Sequence, residues 1–134
     1  MVRQSKSKGD PRIEALRPYL EGVAKKLADE IFGPQGPRWG TTLTELEDLA
    51  LQARSIFSEK MVELSLERQA VTPKETRPHD LQACPSCQRP TDAAEEPVPR
   101  TVATRAGEVA WSEPREYCPR CRRAFFPSEQ KSRH

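Results

Sequence analysis

The residues of this sequence that could do chemistry are four cysteines, which occur as two closely spaced pairs. The pairs are Cys84-Pro-Ser-Cys87 and Cys118-Pro-Arg-Cys121, so both have the form C-P-x-C. Two residues between cysteines let both thiolates of one tight turn reach the same ion, and two such turns provide four soft ligands in a tetrahedron. The sequence therefore predicts one zinc ion bound by Cys84, Cys87, Cys118 and Cys121.

The predicted zinc site is closed, since four protein ligands leave no position for water. A zinc ion of that kind stabilises a fold and does not catalyse. His79 is the only histidine near the cysteines, and we interpret it as a solvated linker residue because four thiolates already complete the shell. Free or disulfide-bonded cysteines and an iron–sulfur cluster are the alternatives. A redox C-x-x-C pair would normally open a helix in a βαβ pattern, which the sequence lacks.

Length and composition predict a small core that a metal would help to stabilise. The chain has 134 residues, of which 35% are apolar and 31% charged, and it contains 13 prolines. We expect one domain, or a small domain with an attached helical segment, and much exposed chain. The net charge of +2 is too balanced to indicate nucleic acid by itself, although both ends of the chain are basic.

The sequence shows no signal for a membrane or for secretion. No apolar run approaches the ~20 residues that span a bilayer, and the charged N-terminus lacks the apolar part of a signal peptide. We therefore expect no membrane contact and a cytoplasmic location. In that reducing compartment, paired C-x-x-C motifs bind metal more often than they form disulfides.

Two amphipathic helices are predicted before the first cysteine pair. Asp10-Pro11 is typical of a helix start, and Pro18 either kinks this helix or begins a second one. Thr42 and Glu45 form a capping-box pattern ahead of the next helix. Apolar residues recur at helical spacing at Ile13, Leu16, Leu20, Val23, Leu27 and Ile31. The two helices are expected to form an antiparallel pair, whose apolar faces contact each other, a second chain or another domain.

The cysteine-containing half is predicted to be a β-hairpin that lies between two zinc knuckles, the C-P-x-C turns at residues 84–87 and 118–121. Val98–Thr104 and Glu108–Tyr117 are rich in strand-forming residues, and residues 105–107 form the turn between them. The predicted fold class is α+β, with an N-terminal antiparallel helix pair and a small zinc ribbon. Its parts are a disordered basic tail (1–9), a helical region (10–72), a polar linker (73–83), a zinc ribbon (84–127) and a disordered tail (128–134).

Residues around the knuckles raise three further expectations. Knuckles usually end in glycine, so Gln88 and Arg122 at those places predict strain or an alternative turn geometry. Arg120, Arg122 and Arg123 either contact nucleic-acid phosphates or form a solvated face. The aromatic residues are interpreted as the small core of the ribbon, with a base-stacking surface as the alternative. They are Trp111, Tyr117, Phe125 and Phe126.

The segment from Arg100 to Pro127 resembles the zinc ribbon of a bacterial insertion-sequence transposase family, the Kra type. In that family a C-P-x-C knuckle precedes an arginine-led strand, a glycine turn, a second strand, a second cysteine pair and a Phe-Phe-Pro ending. These features correspond to Cys84–Cys87, Arg100–Thr104, Gly107, Val109–Tyr117, Cys118–Cys121 and Phe125-Phe126-Pro127. The resemblance covers about residues 43–127 and is carried by residues 84–127.

The resemblance implies a role for the ribbon in DNA binding or assembly. In the family, a catalytic domain with an acidic metal-binding triad follows the ribbon, whereas no such triad can be placed in this chain. The sequence also shows no nucleophile–base pair, no glycine-rich phosphate loop and no open metal site, so we expect no enzyme. The first hypothesis is a non-catalytic, transposase-derived or truncated zinc protein that binds DNA through the ribbon. The alternatives are a protein-interaction or dimerisation module with a purely structural zinc, and a fragment without a selected function.

Overall fold

The computed structural model describes residues 9–91 and 96–129, and within them the α+β class is confirmed. Helices precede two small antiparallel sheets. The chain divides into two units between Leu46 and Glu47. The predicted tails lie outside the described residues, apart from Gly9, Ser128 and Glu129. No helix in the described ranges has the length and apolar character that a membrane crossing would require.

Helix α1 spans Pro11–Ala15 and α2 spans Arg17–Phe32. Asp10 caps α1, because its carboxylate accepts a hydrogen bond from the backbone N–H of Arg12 at 2.8 Å. The break between the helices comes at Leu16, so Pro18 occupies the first turn of α2 and does not kink a longer helix. Proline is tolerated there because first-turn N–H groups have no partner in the helix. Gly33 then ends α2 with a φ of 79°.

Helix α3 spans Leu43–Ala70 and begins at the predicted capping box. The N–H of Glu45 donates to Thr42 Oγ1 at 3.1 Å, and the N–H of Thr42 donates to the Glu45 carboxylate at 3.3 Å. Near its C-terminal end, Glu63 accepts a hydrogen bond from the N–H of Ala110 at 3.3 Å. That contact ties the last turns of α3 to the sheet that follows.

The apolar stripe of α2 stays open to solvent. Leu16 just before the helix, and Val23 and Ile31 within it, remain 50%, 40% and 46% exposed. Within the described part of the chain, none of the residues of α1, α2 or α3 is buried. Helical periodicity therefore exists here without the burial that usually stabilises an amphipathic helix.

The first sheet is a hairpin of β1, Val98–Thr104, and β2, Gly107–Glu113. Its register runs from Val98 opposite Glu113 to Thr104 opposite Gly107, so the turn consists of residues 105–106 alone. The bounds of β1 confirm the prediction. The second predicted strand, Glu108–Tyr117, is instead two strands, because proline at position 114 cannot donate to a ladder.

The second sheet pairs β3, Glu116–Cys118, with β4, Arg123–Phe125. A short 3-10 helix at Pro127–Glu129 follows it. The segment 73–83, interpreted from the sequence as a polar linker, carries 3-10 helices at Lys74–Thr76 and His79–Leu81. The described buried residues are confined to this half of the chain. They are Cys84, Val109, Trp111, Glu113, Glu116 and Cys118.

Candidate metal centre

Each cysteine pair lies on a tight turn closed by a backbone hydrogen bond. The N–H of Gln88 donates to the carbonyl of Cys84 at 2.9 Å, and the N–H of Arg122 donates to the carbonyl of Cys118 at 2.8 Å. The residue after each second cysteine is left-handed, with φ of 64° at Gln88 and 54° at Arg122. The sequence predicted strain or an alternative turn geometry at these two positions, and the left-handed backbone supports strain. Such a conformation costs a non-glycine residue about 1–2 kcal/mol.

A short antiparallel pairing closes each of the two turns. Cys118 at the end of β3 pairs with Arg123 at the start of β4, so the second knuckle is the loop of a small hairpin. The first knuckle is closed by a bridge between Ala83 and Pro90 and by a 2.9 Å hydrogen bond from Cys84 N–H to the Arg89 carbonyl. The two knuckles thus have the same local construction.

The four sulfurs form a cluster of the size that one metal ion requires. All four Sγ atoms lie within 4.8 Å of one another. Sγ of Cys87 lies 3.5 Å from Sγ of Cys118, and Sγ of Cys84 lies 3.8 Å from Sγ of Cys121. A tetrahedron with metal–sulfur bonds of ~2.3 Å has sulfur–sulfur edges of about 3.8 Å. Disulfide sulfurs would be ~2.05 Å apart, so these cysteines are free thiols.

Backbone N–H groups favour the thiolate form on the inner side of the cluster and outweigh burial, which opposes it. Cys84 and Cys118 are buried, whereas Cys87 and Cys121 are half-buried. The N–H groups of Ser86 and Cys121 point at Sγ of Cys84 and of Cys118, each at 3.4 Å. Hydrogen bonds from the backbone of Cys87 and then of Ser86 lower the pKa of Cys84 to about 6.

The fourth thiol is correspondingly hard to ionise. Its hydrogen bond with Cys87, burial and the neighbouring thiols together raise the pKa of Cys121 to about 12. Four sulfurs this close cannot all carry charge unless a cation lies among them, which is the electrostatic signature of a metal site. Four cysteine sulfurs suit a soft or borderline ion, and no fifth protein ligand is needed.

The other sequence candidate for a ligand is not part of this cluster. Among the described residues, the only group of metal-ligating side chains close enough to share an ion consists of the four cysteines. His79 lies on the surface in a 3-10 helix. Its interpretation as a residue outside the metal shell agrees with this placement.

A buried carboxylate fixes the segment 73–83 against the second knuckle. Glu116 is 3% exposed and lies two residues before Cys118. It accepts hydrogen bonds from Lys74 Nζ at 2.8 Å and from Thr91 Oγ1 at 2.7 Å. Arg77 Nη1 lies 3.6 Å from the same carboxylate, which is an ion pair but too long for a hydrogen bond. Burial raises the pKa of Glu116, yet the hydrogen bonds from Lys74 and Thr91 outweigh it and the net pKa is lowered.

A second buried carboxylate joins the hairpin to the chain after β4. Glu113 accepts from Arg100 Nη1 at 2.6 Å and from Ser128 Oγ at 2.6 Å. The guanidinium of Arg100 lies between two rings, 4.9 Å from the centroid of Trp111 and 4.0 Å from that of Phe126. Ser128, which follows β4, is therefore tied to the hairpin through Glu113. Sequence reasoning missed this cluster, although the period of two places Glu113 on the same face as Val109 and Trp111.

The aromatic residues fall into different environments. Trp111 is 7% exposed and belongs to the core, as the sequence interpretation expected. Phe125 and Phe126 are half-buried, whereas Tyr117 is 43% exposed and contributes little to that core. The expectation of a common aromatic core therefore holds for Trp111 and fails for Tyr117.

The three arginines predicted to contact nucleic acid are all exposed. They do not share one surface feature. Arg120 lines a hollow with Arg89, Pro90 and Pro119, whereas Arg123 lines a separate groove with Arg115 and two phenylalanines. Arg115 and Arg89 are basic residues of these hollows that the sequence analysis did not single out.

The protein was compared with protein-family models, curated proteins and solved structures, and none of the three comparisons found a match. The resemblance to a transposase ribbon therefore remains a hypothesis that rests on residues 84–127. What the structure establishes is an α+β chain with four free cysteines placed so that they could hold one metal ion.

Proposed function

We propose that this chain is a non-catalytic zinc-ribbon protein of a reducing compartment, with one structural zinc ion. The observation that carries the proposal is the cluster of four Sγ atoms within 4.8 Å. Zinc is the ion that four thiolates bind most commonly as a closed tetrahedral site. Because such a shell leaves no position for water or substrate, the ion stabilises the ribbon and performs no chemistry.

We further propose that the ribbon binds DNA and that the chain derives from a transposase of the Kra type. Support comes from the exposed Arg120, Arg122 and Arg123 on and after the second knuckle. Two carboxylates of the ribbon, those of Glu113 and Glu116, are buried and paired with Arg100 and Lys74, so they are not free to pair with these arginines. A zinc ion with four thiolates carries a net charge of −2, which the three positive charges of the same arginines more than offset. Phosphate contacts are the role that exposed arginines of this kind most often fill in DNA-binding proteins.

The test is a titration of labelled DNA with the zinc-loaded chain at several salt concentrations. We expect a mobility shift whose affinity falls with salt, because each phosphate contact releases counterions. Replacing Arg120, Arg122 and Arg123 with glutamine should weaken binding and flatten the salt dependence. The triple variant Arg38→Gln/Arg54→Gln/Arg68→Gln removes the same number of charges from exposed positions outside the ribbon and is the charge-matched control. Absence of any shift on duplex or single-stranded DNA at low salt would contradict the DNA-binding role.

A second candidate function is self-association through the helices, with the zinc purely structural. The observation that favours it is the exposed apolar stripe of α2, where Val23, Leu27 and Ile31 remain 40%, 43% and 46% exposed. A helix of 16 residues is marginal in water unless a partner covers such a stripe. A second copy of the same helix offers a matching surface.

Sedimentation equilibrium tests this second candidate. We expect a concentration-dependent dimer that the double variant Val23→Glu/Leu27→Glu returns to a monomer. Lys25→Glu, two residues from Val23 and therefore on another face of α2, is the control. A monomer at every concentration would remove this candidate and leave the zinc proposal untouched.

A further inference from the structure

A groove lies beside the first knuckle and β4, and we call it the knuckle groove. It has a volume of about 490 Å³ and is lined by Pro85, Ser86, Arg115, Arg123, Phe125 and Phe126 among others. Its volume falls in the range of roughly 300–1,000 Å³ that is typical of ligand pockets. No acidic residue lines it among the described residues. The groove therefore combines positive charge with aromatic surface.

The arrangement of the lining follows from the strand. Arg123 and Phe125 are two positions apart on β4, so their side chains point to the same face, ~7 Å apart along the strand. Arg115 approaches from the bend between β2 and β3. Both arginines are exposed and Phe125 is half-buried, so the charges stand at the rim and the ring is recessed.

We infer that the knuckle groove binds single-stranded nucleic acid, with phosphates at Arg115 and Arg123 and a base against Phe125. This inference rests on the proposed DNA-binding function and specifies its substrate. Aromatic rings and arginines in a positively charged groove are the combination that holds single strands, because every unpaired base has a face that can stack. A flexible strand can place a base in a recess.

Duplex DNA fits the same surface poorly. Its base faces are covered by their neighbours, and only base edges are accessible in the grooves, so a protein reads it with a protruding helix or ribbon. A recessed phenylalanine reaches neither edges nor faces of a duplex. The hollow that holds Arg120 with Arg89 contains prolines in place of aromatic rings and offers charge alone. Of these two surfaces, only the knuckle groove therefore offers an aromatic ring on which a base can stack.

The groove also depends on the metal centre. Cys84 and Cys121, two of the four cysteines, are part of its lining. Cys84 belongs to the first knuckle and Cys121 to the second, and their Sγ atoms lie 3.8 Å apart. Removing the metal should therefore abolish the groove together with any binding to it.

The experiment is fluorescence anisotropy with labelled oligothymidylate and a duplex of equal length, using the full chain with its zinc content measured in the same samples. We expect the single strand to bind more tightly than the duplex. Phe125→Leu should weaken single-strand binding at least about fivefold, since stacking contributes roughly 1–3 kcal/mol per base. Arg123→Gln, an exposed position that leaves the core intact, should reduce the salt slope by about 0.7.

Arg105→Gln, in the turn of the β1–β2 hairpin, is the matched control and should change neither affinity nor salt slope. Equal affinity for duplex and single strand, together with no effect of Phe125→Leu in a zinc-loaded protein, would overturn this inference and leave the proposed DNA-binding role standing. Failure to bind either DNA would overturn both. A chain without bound zinc would contradict the proposed metal site itself.

Discussion

Helix α2 and the proposed ribbon, residues 84–127, differ in what holds them together. Helix α2 is regular and ends at Gly33, yet none of its residues is buried and its apolar stripe remains open. The ribbon has short strands and few apolar core residues, yet it contains four clustered cysteines and two buried carboxylates with their partners. The comparison teaches that regular secondary structure and a stable core are separate properties. In this chain, the less regular region has the long-range contacts.

The ionic clusters show how such a small ribbon is fixed. Lys74 reaches Glu116 across more than forty positions of the sequence, and Ser128 reaches Glu113 from beyond β4. Each buried carboxylate joins a flanking segment to the sheet next to a knuckle. Breaking a buried pair leaves an uncompensated charge, so these contacts make the arrangement specific even where their net stabilisation is small.

The largest expected effect comes from removing the metal. Chelation, or Cys118→Ser, should unfold residues 84–127 and leave the helical signal, because structural zinc contributes about 10–16 kcal/mol of binding free energy in small domains. That binding free energy exceeds the stability that a hydrophobic core of this size supplies. Amide NMR signals of β1 and β2 should collapse, whereas helical circular dichroism should persist.

Ser86→Ala, at an exposed position between two cysteines, is a control that keeps all four ligands and should retain the hairpin signals. A hairpin that remains folded without metal would contradict the division of the molecule into a metal-dependent and a metal-independent region.

The next largest effect is expected at the Arg100–Glu113 pair. Arg100→Ala should lower the free energy of unfolding of the zinc-loaded ribbon by about 3–5 kcal/mol, because Glu113 is left buried without its cation. The double variant Arg100→Leu/Glu113→Leu should be less destabilised than the single one, because it buries no lone charge. Urea unfolding monitored by Trp111 fluorescence measures both. A loss in the double variant equal to the sum of the losses of Arg100→Leu and Glu113→Leu, each measured alone, would show that the pair is not coupled.

A smaller, pH-dependent effect is expected at Glu116. Its pKa is lowered in the folded chain, so its contribution is fully present above the unfolded pKa and is lost as pH falls through the folded pKa. Carbon-13 NMR of the carboxyl group should show a midpoint below the ordinary glutamate value of 4.5. In Lys74→Met the midpoint of the Glu116 titration should rise, because burial raises the pKa of Glu116 and the hydrogen bond from Lys74 no longer opposes it. An unchanged midpoint in that variant would mean that Lys74 does not hold Glu116.

The smallest effect is expected at the left-handed residues of the knuckles. Gln88→Gly and Arg122→Gly should each stabilise the zinc-loaded ribbon by up to about 1 kcal/mol, since glycine adopts positive φ without a steric penalty. Gln82→Gly, outside the knuckles with ordinary backbone angles, should destabilise instead. Thermal unfolding of the three variants provides the measurement. A loss of stability in both Gln88→Gly and Arg122→Gly would show that the left-handed backbone at these two residues is not strained.

The parts of the fold that follow from local chemistry were predictable from sequence. The caps at Asp10 and Thr42, the bounds of β1 and the strain at Gln88 and Arg122 all depend on neighbours within a few residues. Pro114 also carried a local signal for the break between β2 and β3, which the prediction of one long strand overlooked.

The parts that depend on distant partners were not predictable. Nothing in the composition of segment 73–83 shows that Lys74 will meet Glu116, because that contact exists only after the knuckles have formed. The hydrogen bond from Ser128 to Glu113 likewise forms only in the folded chain. The cysteine site was predictable because its spacing encodes its geometry, whereas the grouping of the arginines into separate hollows is a property of the folded ribbon.

The most direct test of the central claim is X-ray absorption spectroscopy of the purified chain at the zinc edge, combined with metal analysis. The proposed closed thiolate site predicts one zinc ion per chain with four sulfur neighbours at ~2.3 Å and no nitrogen or oxygen in the first shell. A shell that includes nitrogen or oxygen, or a chain with disulfides and no metal, would contradict it.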